Sequence, residues 1–245
     1  MTSMHAELNA IDSEAAGARI VDIHQFDGEA DFAAFEREYV RTLDPFIAFC
    51  KVPAEQLASV HHLESLGFRF AEMQLETMLR LSRRFELPLR GYRFHLVESA
   101  DESRRAIALA RTIFTHDRYS TDELLGPEIA AKRYEGYLRK SLASSDEHVY
   151  VMTNNETHEV VSFATLRRTA RDEARLLIGG VGNEYKGSGL GALHDYLGFN
   201  TYYEEGIRSL HSAVSVANYP IVNLEIAGIG FRVRRSFVVL RKAYR

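Results

Sequence analysis

A glycine-rich segment at residues 176–193 has the residue types and spacing that bind a phosphate group. Residues 176–182 are apolar or glycine, Gly187, Gly189 and Gly191 follow, and an apolar helical pattern begins at once. The first turn of a helix has unpaired backbone N–H groups and the positive end of the helix dipole, and glycine lets a ligand approach the backbone closely. The segment therefore predicts a phosphate or pyrophosphate site at the start of a helix.

The spacing within this segment shows which type of phosphate-binding loop the sequence resembles. A Walker A loop needs a lysine directly after its second glycine, but Ser188 follows Gly187. A Rossmann turn needs Gly-x-Gly-x-x-Gly and a long series of βα units after it, which this sequence lacks. The segment does fit the pattern basic-x-x-Gly-x-Gly, with Lys186 as the basic residue. This pattern resembles the pyrophosphate loop of the GNAT superfamily of N-acetyltransferases, in which Gln or Arg usually stands first. The alternative is a tight turn that binds nothing.

The elements around the loop follow the order of that superfamily. After the loop, the sequence predicts a helix at 189–205, a strand at 209–216, a short helix opened by Asn218, then Gly230-Phe231 and a strand at 236–241. Before it, the sequence predicts a strand at 94–98, helices at 102–114 and 127–142, and a hairpin of 148–152 with 160–165. The resemblance covers roughly residues 90–245. It implies an α/β (α+β) protein with the GNAT acyl-CoA N-acyltransferase fold, whose central sheet is mixed and mostly antiparallel.

The first part of the chain predicts a smaller α/β lobe. A strand at 46–52, a helix at 54–66 that ends at Gly67, and a long strand at 68–79 resemble a truncated half of the same fold. The dTDP-fucosamine acetyltransferase group, which acetylates the amine of a nucleotide sugar, is similar to this arrangement. We therefore expect a partial GNAT-like lobe at 1–88 and a catalytic domain at 89–245. An unrelated α/β lobe is the alternative.

The resemblance implies that acetyl-CoA is the co-substrate and that the strand before the loop separates from the strand at 209–216. The main chain at Val181 would contact the pantetheine arm and the thioester oxygen. The cofactor-binding residues implied in this way are Val181, Lys186, Gly187, Ser188, Gly189, Leu190, Gly191, Ala192 and Asn218.

Acyl transfer from a thioester needs a neutral amine, stabilisation of an oxyanion and a proton for the leaving thiolate. Many members of the superfamily have a tyrosine seven residues after the asparagine of the short helix, but here that position is Glu225, and Tyr219 is the fallback. The identity of the general base stays open among several side chains, of which His194 is more simply explained as a core or surface histidine. These candidates are Glu184, His194, His211, His116 and Asp117.

The connection between the first two helices of the catalytic domain lines the acceptor pocket in this superfamily. His116, Asp117, Arg118, Tyr119 and, on the next helix, Tyr134 are therefore the predicted substrate-binding residues. Arg118 could pair with a diphosphate and Tyr119 could stack on a ring; a solvated loop is the alternative. We predict an N-acetyltransferase for a small amine, with a nucleotide-linked amino sugar favoured. An amino acid, polyamine, antibiotic or protein N-terminus stays open as acceptor, as does a non-catalytic acyl-CoA-binding module.

Composition sets the remaining expectations. The 245 residues are 46% hydrophobic with a net charge of −4, which favours a globular protein without general affinity for nucleic acid. The alternating basic and apolar residues at 232–242 predict an edge strand with one solvated face.

Cys50 is the single cysteine, no run of about 20 apolar residues could span a membrane, and no signal peptide is evident, so we expect a cytoplasmic protein. The adjacent His61 and His62 do not form a zinc motif, and the chemistry needs no metal. The expected partners are a small-molecule amine and, as an open alternative, a second copy in a homodimer.

Overall fold

The computed structural model describes residues 4–24, 26, 32–87 and 90–244. Within these residues the chain forms ten strands and eight α-helices. The first part contains β1 (His5–Leu8), α1 (Ala10–Ala16), β2 (Ile20–His24), α2 (Phe32–Leu43), β3 (Ile47–Pro53), α3 (Leu57–Ser65) and β4 (Arg69–Arg80). The second contains β5 (Tyr92–Leu96), α4 (Ala100–Ile113), α5 (Arg118–Thr121), α6 (Gly126–Ala143), β6 (Glu147–Asn154), β7 (Val160–Arg168), β8 (Glu173–Val181), α7 (Leu190–Glu204), β9 (Ser209–Ser215), α8 (Tyr219–Asn223) and β10 (Arg232–Ala243).

The ten strands form one sheet in the order β1-β2-β3-β10-β4-β9-β8-β7-β6-β5. Only two neighbouring pairs are parallel, β2 with β3 and β8 with β9; every other pair in this order is antiparallel. A parallel pair requires a long crossover, and α2 and α7 supply the two crossovers here. The sheet is therefore mixed and mostly antiparallel, as predicted.

The two parts of the chain exchange strands in the middle of this sheet. β4 comes from the first part but lies between β10 and β9, while β10 is the last strand of the chain and lies between β3 and β4. The prediction that residues 232–242 form an edge strand is therefore wrong. Alternation reports which faces of a strand are solvated, but it does not report whether the backbone edges are paired. The predicted domain boundary falls at residues 88 and 89, which lie outside the described residues, so that division stays a prediction.

Each face of the sheet is covered by its own helices, and the strands alternate between them. On the first face, Val149 and Val151 of β6 pack in a cluster with residues of α4 and α6. On the second face, Tyr150 and Met152 pack in a cluster with residues of α7. The first part of the chain is layered in the same way. Ile47 packs beneath α5 and α6 on the first face, and other β3 residues pack with α2 and α3 on the second.

Most of the predicted elements are present with bounds shifted by a few residues, including the long strand now seen as β4 and the hairpin of β6 and β7. The elements before residue 45, namely β1, α1, β2 and α2, were not predicted. Among the described helices, none is long and apolar enough to cross a membrane.

Candidate active site

β8 and β9 pair at one end only and separate at the other. Their register covers just three pairs, from Glu173 opposite Ser209 to Arg175 opposite His211. Beyond these pairs β8 stays bonded to β7, and the Thr165 hydroxyl makes two 3.0 Å hydrogen bonds, one with the N–H and one with the carbonyl of Ile178, where the register is irregular. The side of β8 that faces β9 therefore has backbone groups that no neighbouring strand bonds over residues 176–181. Such an edge can bond an extended ligand as a further strand would.

A cavity of about 270 Å³ occupies the gap between these two strands. Residues 176–181 of β8 form its wall, Phe114 and Tyr134 line it from the first face of the sheet, and His194, Asp195 and Glu225 line it from the second. The cavity therefore reaches both faces at the point where the strands separate. A molecule entering from one face can meet a molecule bound from the other.

The glycine turn leads from the end of β8 into α7. Gly187 and Gly189 have φ values of 78° and 86°, a left-handed conformation that favours glycine, and Gly189 precedes the helix without a side-chain cap. Gly191 has ordinary helical backbone, and a Cβ there would meet no atom within 4 Å. Neither conformation nor packing requires glycine at 191, and the open space beside it leaves room for close approach of a ligand. Lys186 is exposed beside the turn. The arrangement matches the predicted phosphate site, and the roles of residues 186–192 stay predictions.

Glu225 lies where the sequence count predicted a catalytic group. It is 7% exposed, lines the cavity and belongs to a π-helical turn, Leu224–Ile229, directly after α8. Its two carboxylate oxygens accept hydrogen bonds from Thr77 on β4 at 2.8 Å and from Ser212 on β9 at 2.9 Å. Burial raises the pKa of Glu225, and the two hydroxyl donors partly offset this. The strand that enters from the first part of the chain thus fixes a carboxylate in the candidate site.

Three other catalytic candidates lie elsewhere. Tyr219 is 68% exposed and does not line the cavity. His211 lies on the paired end of β9, 3.9 Å from Glu173, and Glu184 is exposed and folds back over Gly182. The structure therefore does not bring Tyr219, His211 or Glu184 to the cavity.

Two predicted cofactor-binding residues at the ends of the separated strands do line the cavity. Val181 ends β8, and the Asn218 side chain accepts a hydrogen bond from the N–H of Ile221 and caps α8.

The predicted acceptor residues divide into two groups. His116, Asp117 and Tyr134 line the cavity, with Tyr134 stacked on Phe114 at a ring distance of 3.8 Å. The Asp117 carboxylate also caps α5 by accepting hydrogen bonds from the N–H groups of Tyr119 and Ser120.

Arg118 and Tyr119 do not line the cavity and belong to a buried network between the two parts of the chain. Arg118 pairs with Glu72 of β4, and the hydroxyl of Tyr119, which is fully buried, donates to Asp12 of α1. Asp12 also pairs with Arg133 of α6 at 2.9 Å. Arg118, which was predicted to pair with a diphosphate, thus pairs with a carboxylate of the protein itself.

Asp195 is an acidic cavity residue that sequence reasoning missed. No described side chain hydrogen-bonds its carboxyl group, and burial together with the negative charge of Glu225 raises its pKa to about 8. The neighbouring His194 contacts the Ser162 hydroxyl at 2.7 Å, and burial lowers its pKa to about 4, so its ring is neutral near pH 7. A signal was present in the sequence: Asp195 lies four residues after Gly191 and three before Gly198, so all three share one face of α7.

Among the residues that the structure describes, two groups of His and Glu side chains could each hold a metal ion, since the ligand atoms of each group lie within 4.8 Å of one another. These groups are His5, Glu7 and His24, and His95, Glu98 and Glu102. In the second group Glu102 caps the start of α4 by accepting from the N–H of Glu98 at 2.7 Å. Neither group lines the cavity, so neither is placed to act on a ligand there.

Comparison with known proteins identifies the fold. No protein-family model matches the sequence, and no curated protein matches it. Solved structures match over nearly the whole chain. A GCN5-related N-acetyltransferase from Sphaerobacter thermophilus is similar with a TM-score of 0.69 at 13% identity, covering 98% of this chain and 76% of that one. A tandem GNAT protein from the clavulanic acid biosynthesis pathway, solved without AcCoA, is similar with a TM-score of 0.64 at 16% identity. The match covers 93% of this chain and 76% of that one.

A third similar structure is a GCN5-related glucosamine N-acetyltransferase region in a fungal multi-domain GH3 beta-N-acetylglucosaminidase. It gives a TM-score of 0.69 at 12% identity, covering 98% of this chain and 31% of that one. These likenesses extend across both parts of the chain. The protein has the GNAT fold, and the predicted fold class is confirmed.

Proposed function

We propose that the protein is an acetyl-CoA-dependent N-acetyltransferase that transfers the acetyl group directly to the amine of a small molecule. The observation that carries the proposal is the gap between β8 and β9, which contains the cavity and ends at the glycine turn of α7. An extended pantetheine arm fits a strand edge with unbonded amides, and a pyrophosphate fits an uncapped helix start. The GNAT fold supports acetyl transfer in general.

In this proposal the second face of the sheet holds the co-substrate. Lys186 and the backbone of the turn bind the pyrophosphate, and the main chain around Val181 bonds the pantetheine arm and polarises the thioester oxygen. The thioester supplies the activated acetyl group. The protein itself needs to orient the two reactants and manage protons, because direct transfer forms no covalent intermediate with a side chain.

The acceptor then enters from the first face, where His116, Asp117 and Tyr134 line the cavity. We propose an amino sugar as the favoured acceptor class. The support is the sequence resemblance to nucleotide-sugar amine acetyltransferases and the structural likeness to a region described as a glucosamine N-acetyltransferase. Because Arg118 already pairs with Glu72, the free amino sugar and its nucleotide-linked form should be compared side by side.

The proposal is tested first by calorimetric titration with acetyl-CoA, free CoA and a longer acyl-CoA. Gly189→Trp should abolish micromolar binding, because its side chain would stand at the helix start. Gly206→Trp is a matched control at the other end of α7, since Gly206 has a φ of 89° and its Cβ would also meet no atom within 4 Å. The control carries the same backbone strain and should bind like the wild type.

Thiol release is then measured with a panel of amines that contains amino sugars, amino acids, polyamines, aminoglycosides and peptide N-termini. Release with one acceptor class supports the enzyme. If the protein binds acetyl-CoA but releases no thiol with any amine, it is an acyl-CoA-binding module. If the wild type binds no CoA species, the acyltransferase proposal is refuted.

A further inference from the structure

Two carboxyl groups line the cavity on the second face, and their surroundings differ. Both oxygens of Glu225 accept hydrogen bonds from hydroxyl groups, those of Thr77 and Ser212. Hydroxyl donors favour the ionised form of a carboxyl group. Asp195 receives no such bond from the described residues and experiences the charge of Glu225. Burial raises the pKa of both groups, but hydroxyl donors offset this at Glu225 alone, so Glu225 gives up its proton before Asp195 does.

We infer that Asp195 donates the proton to the departing coenzyme A thiolate, and that Glu225 is a positioning residue that keeps this proton on Asp195. The inference rests on the proposed function and assigns the leaving-group acid that the missing tyrosine left open. Asp195 lies four residues beyond Gly191 on the same face of α7, the helix whose first turn is the proposed pyrophosphate site. One helix therefore presents both the phosphate site and the acid to the same cavity.

The other titratable groups of the cavity do not fit this role. His194 on α7 has a pKa lowered to about 4, so its ring is neutral near pH 7 and is too weak an acid to protonate the thiolate. The pKa of Tyr202, also on α7, is raised well above its usual value by burial and by the charges around it, which makes it a weak acid. His116, Asp117 and Tyr134 line the cavity from the first face, the acceptor side. The pKa of about 8 at Asp195 is close to that of a thiol, which suits proton transfer near neutral pH.

The proposed step balances as follows. The amine nitrogen attacks the carbonyl carbon of the thioester, a carbon–nitrogen bond forms and the carbon–sulfur bond breaks. The sulfur takes the proton of Asp195 and leaves as a neutral thiol. The nitrogen loses one proton to solvent, and a solvent proton restores the acid form of Asp195. The products are an amide and free coenzyme A, and no oxidant or reductant is involved.

The test compares Asp195→Asn with Glu204→Gln. Asn keeps the size of the side chain but cannot donate an acidic proton, and Glu204 is an exposed acid on the same helix, paired with Arg84. For transfer from acetyl-CoA to the amine found in the panel, Asp195→Asn should lower kcat about 100-fold, a typical contribution of a general acid. The KM for acetyl-CoA should change less than about twofold, because the binding surface is kept. Glu204→Gln should match the wild type in both constants.

The pH profile separates an acid from a structural residue. In the wild type kcat should fall above about pH 8 as Asp195 loses its proton, and this limb should vanish in Asp195→Asn. Glu225→Gln removes the neighbouring negative charge, so the pKa of Asp195 should decrease and the limb should move to lower pH. A limb that stays in place in both variants overturns the inference.

Infrared difference spectra give a readout that needs no substrate. The wild type minus Asp195→Asn spectrum should contain the C=O stretch of a protonated carboxylic acid at pH 7, and this band should disappear above pH 8. Absence of the band at pH 7 overturns the inference. If the wild type binds no acetyl-CoA, the proposed function itself fails. If the wild type transfers acetyl groups and Asp195→Asn does so at the rate of Glu204→Gln, only the inference on Asp195 fails.

Discussion

Gly191→Ala should stabilise the fold and weaken binding of acetyl-CoA, two effects of opposite sign from one methyl group. Gly191 is the second residue of α7 and has ordinary helical backbone, and the added Cβ would meet no atom within 4 Å. Replacing a helical glycine by alanine gains roughly 0.5–1 kcal/mol. In a chain of this size each kcal/mol shifts Tm by about 2–4 °C, so Tm should rise by about 1–4 °C.

The same methyl group lies where the proposed pyrophosphate must approach the backbone of the helix start. Losing one close backbone contact, about 1.4 kcal/mol, weakens binding about tenfold. A larger side chain in Gly191→Val should weaken it further. Thermal unfolding without ligand measures the first effect, and calorimetry with acetyl-CoA and free CoA measures the second. The reasoning is refuted if Gly191→Ala gains stability and still binds CoA like the wild type, because ligand approach would then not require a glycine at 191.

Three further predictions concern the buried polar groups. Asp12→Asn should destabilise the fold by about 3–5 kcal/mol in urea unfolding, because it leaves buried Arg133 without its carboxylate; a loss below about 1 kcal/mol would contradict this. Thr77→Val should cost about 1–3 kcal/mol where Glu225 is ionised, and less as the pH falls through the raised pKa of Glu225, because a protonated carboxyl group depends less on a donor; an equal cost across the pH series in urea unfolding would argue against this donor role. The folded-state pKa of His194 lies below its unfolded value, so the unfolded chain binds the extra proton and wild-type stability should fall from about pH 6.5 to pH 4. Unfolding of His194→Gln between pH 7 and pH 4 should show a shallower fall, and an unchanged slope would assign the loss to other groups.

The local elements of the second part of the chain follow from the sequence, because short-range patterns determine them. The turn at Gly187 and Gly189 could be predicted because left-handed backbone selects glycine. Glu225, seven residues after Asn218, lines the cavity although the chain between them passes from α8 into a π-helical turn, and its catalytic role stays a prediction. Helix periodicity predicted α4 and α6.

The first 45 residues were harder to interpret. β1, α1 and β2 are four to seven residues long, too short for periodicity to distinguish helix from strand. The loop position of Arg118 predicted that it lies in the acceptor pocket. Its actual partner, Glu72 on β4, is 46 residues away, so no local pattern could indicate the pair.

Only the tertiary structure decided which strands are neighbours and which side chains meet. β4 and β10 each carry the alternation of a strand, but their exchange between the two parts depends on backbone pairing between residues more than 100 positions apart. That exchange brings Thr77 to Glu225. The separation of β8 from β9 then opens a cavity in which Asp195 has no hydrogen-bonding neighbour among the described residues. The sequence by itself determined the glycine turn and the elements around it, because these depend on neighbouring residues. The long-range packing decided which carboxyl group keeps its proton, because a pKa depends on burial and on nearby charges that distant segments supply.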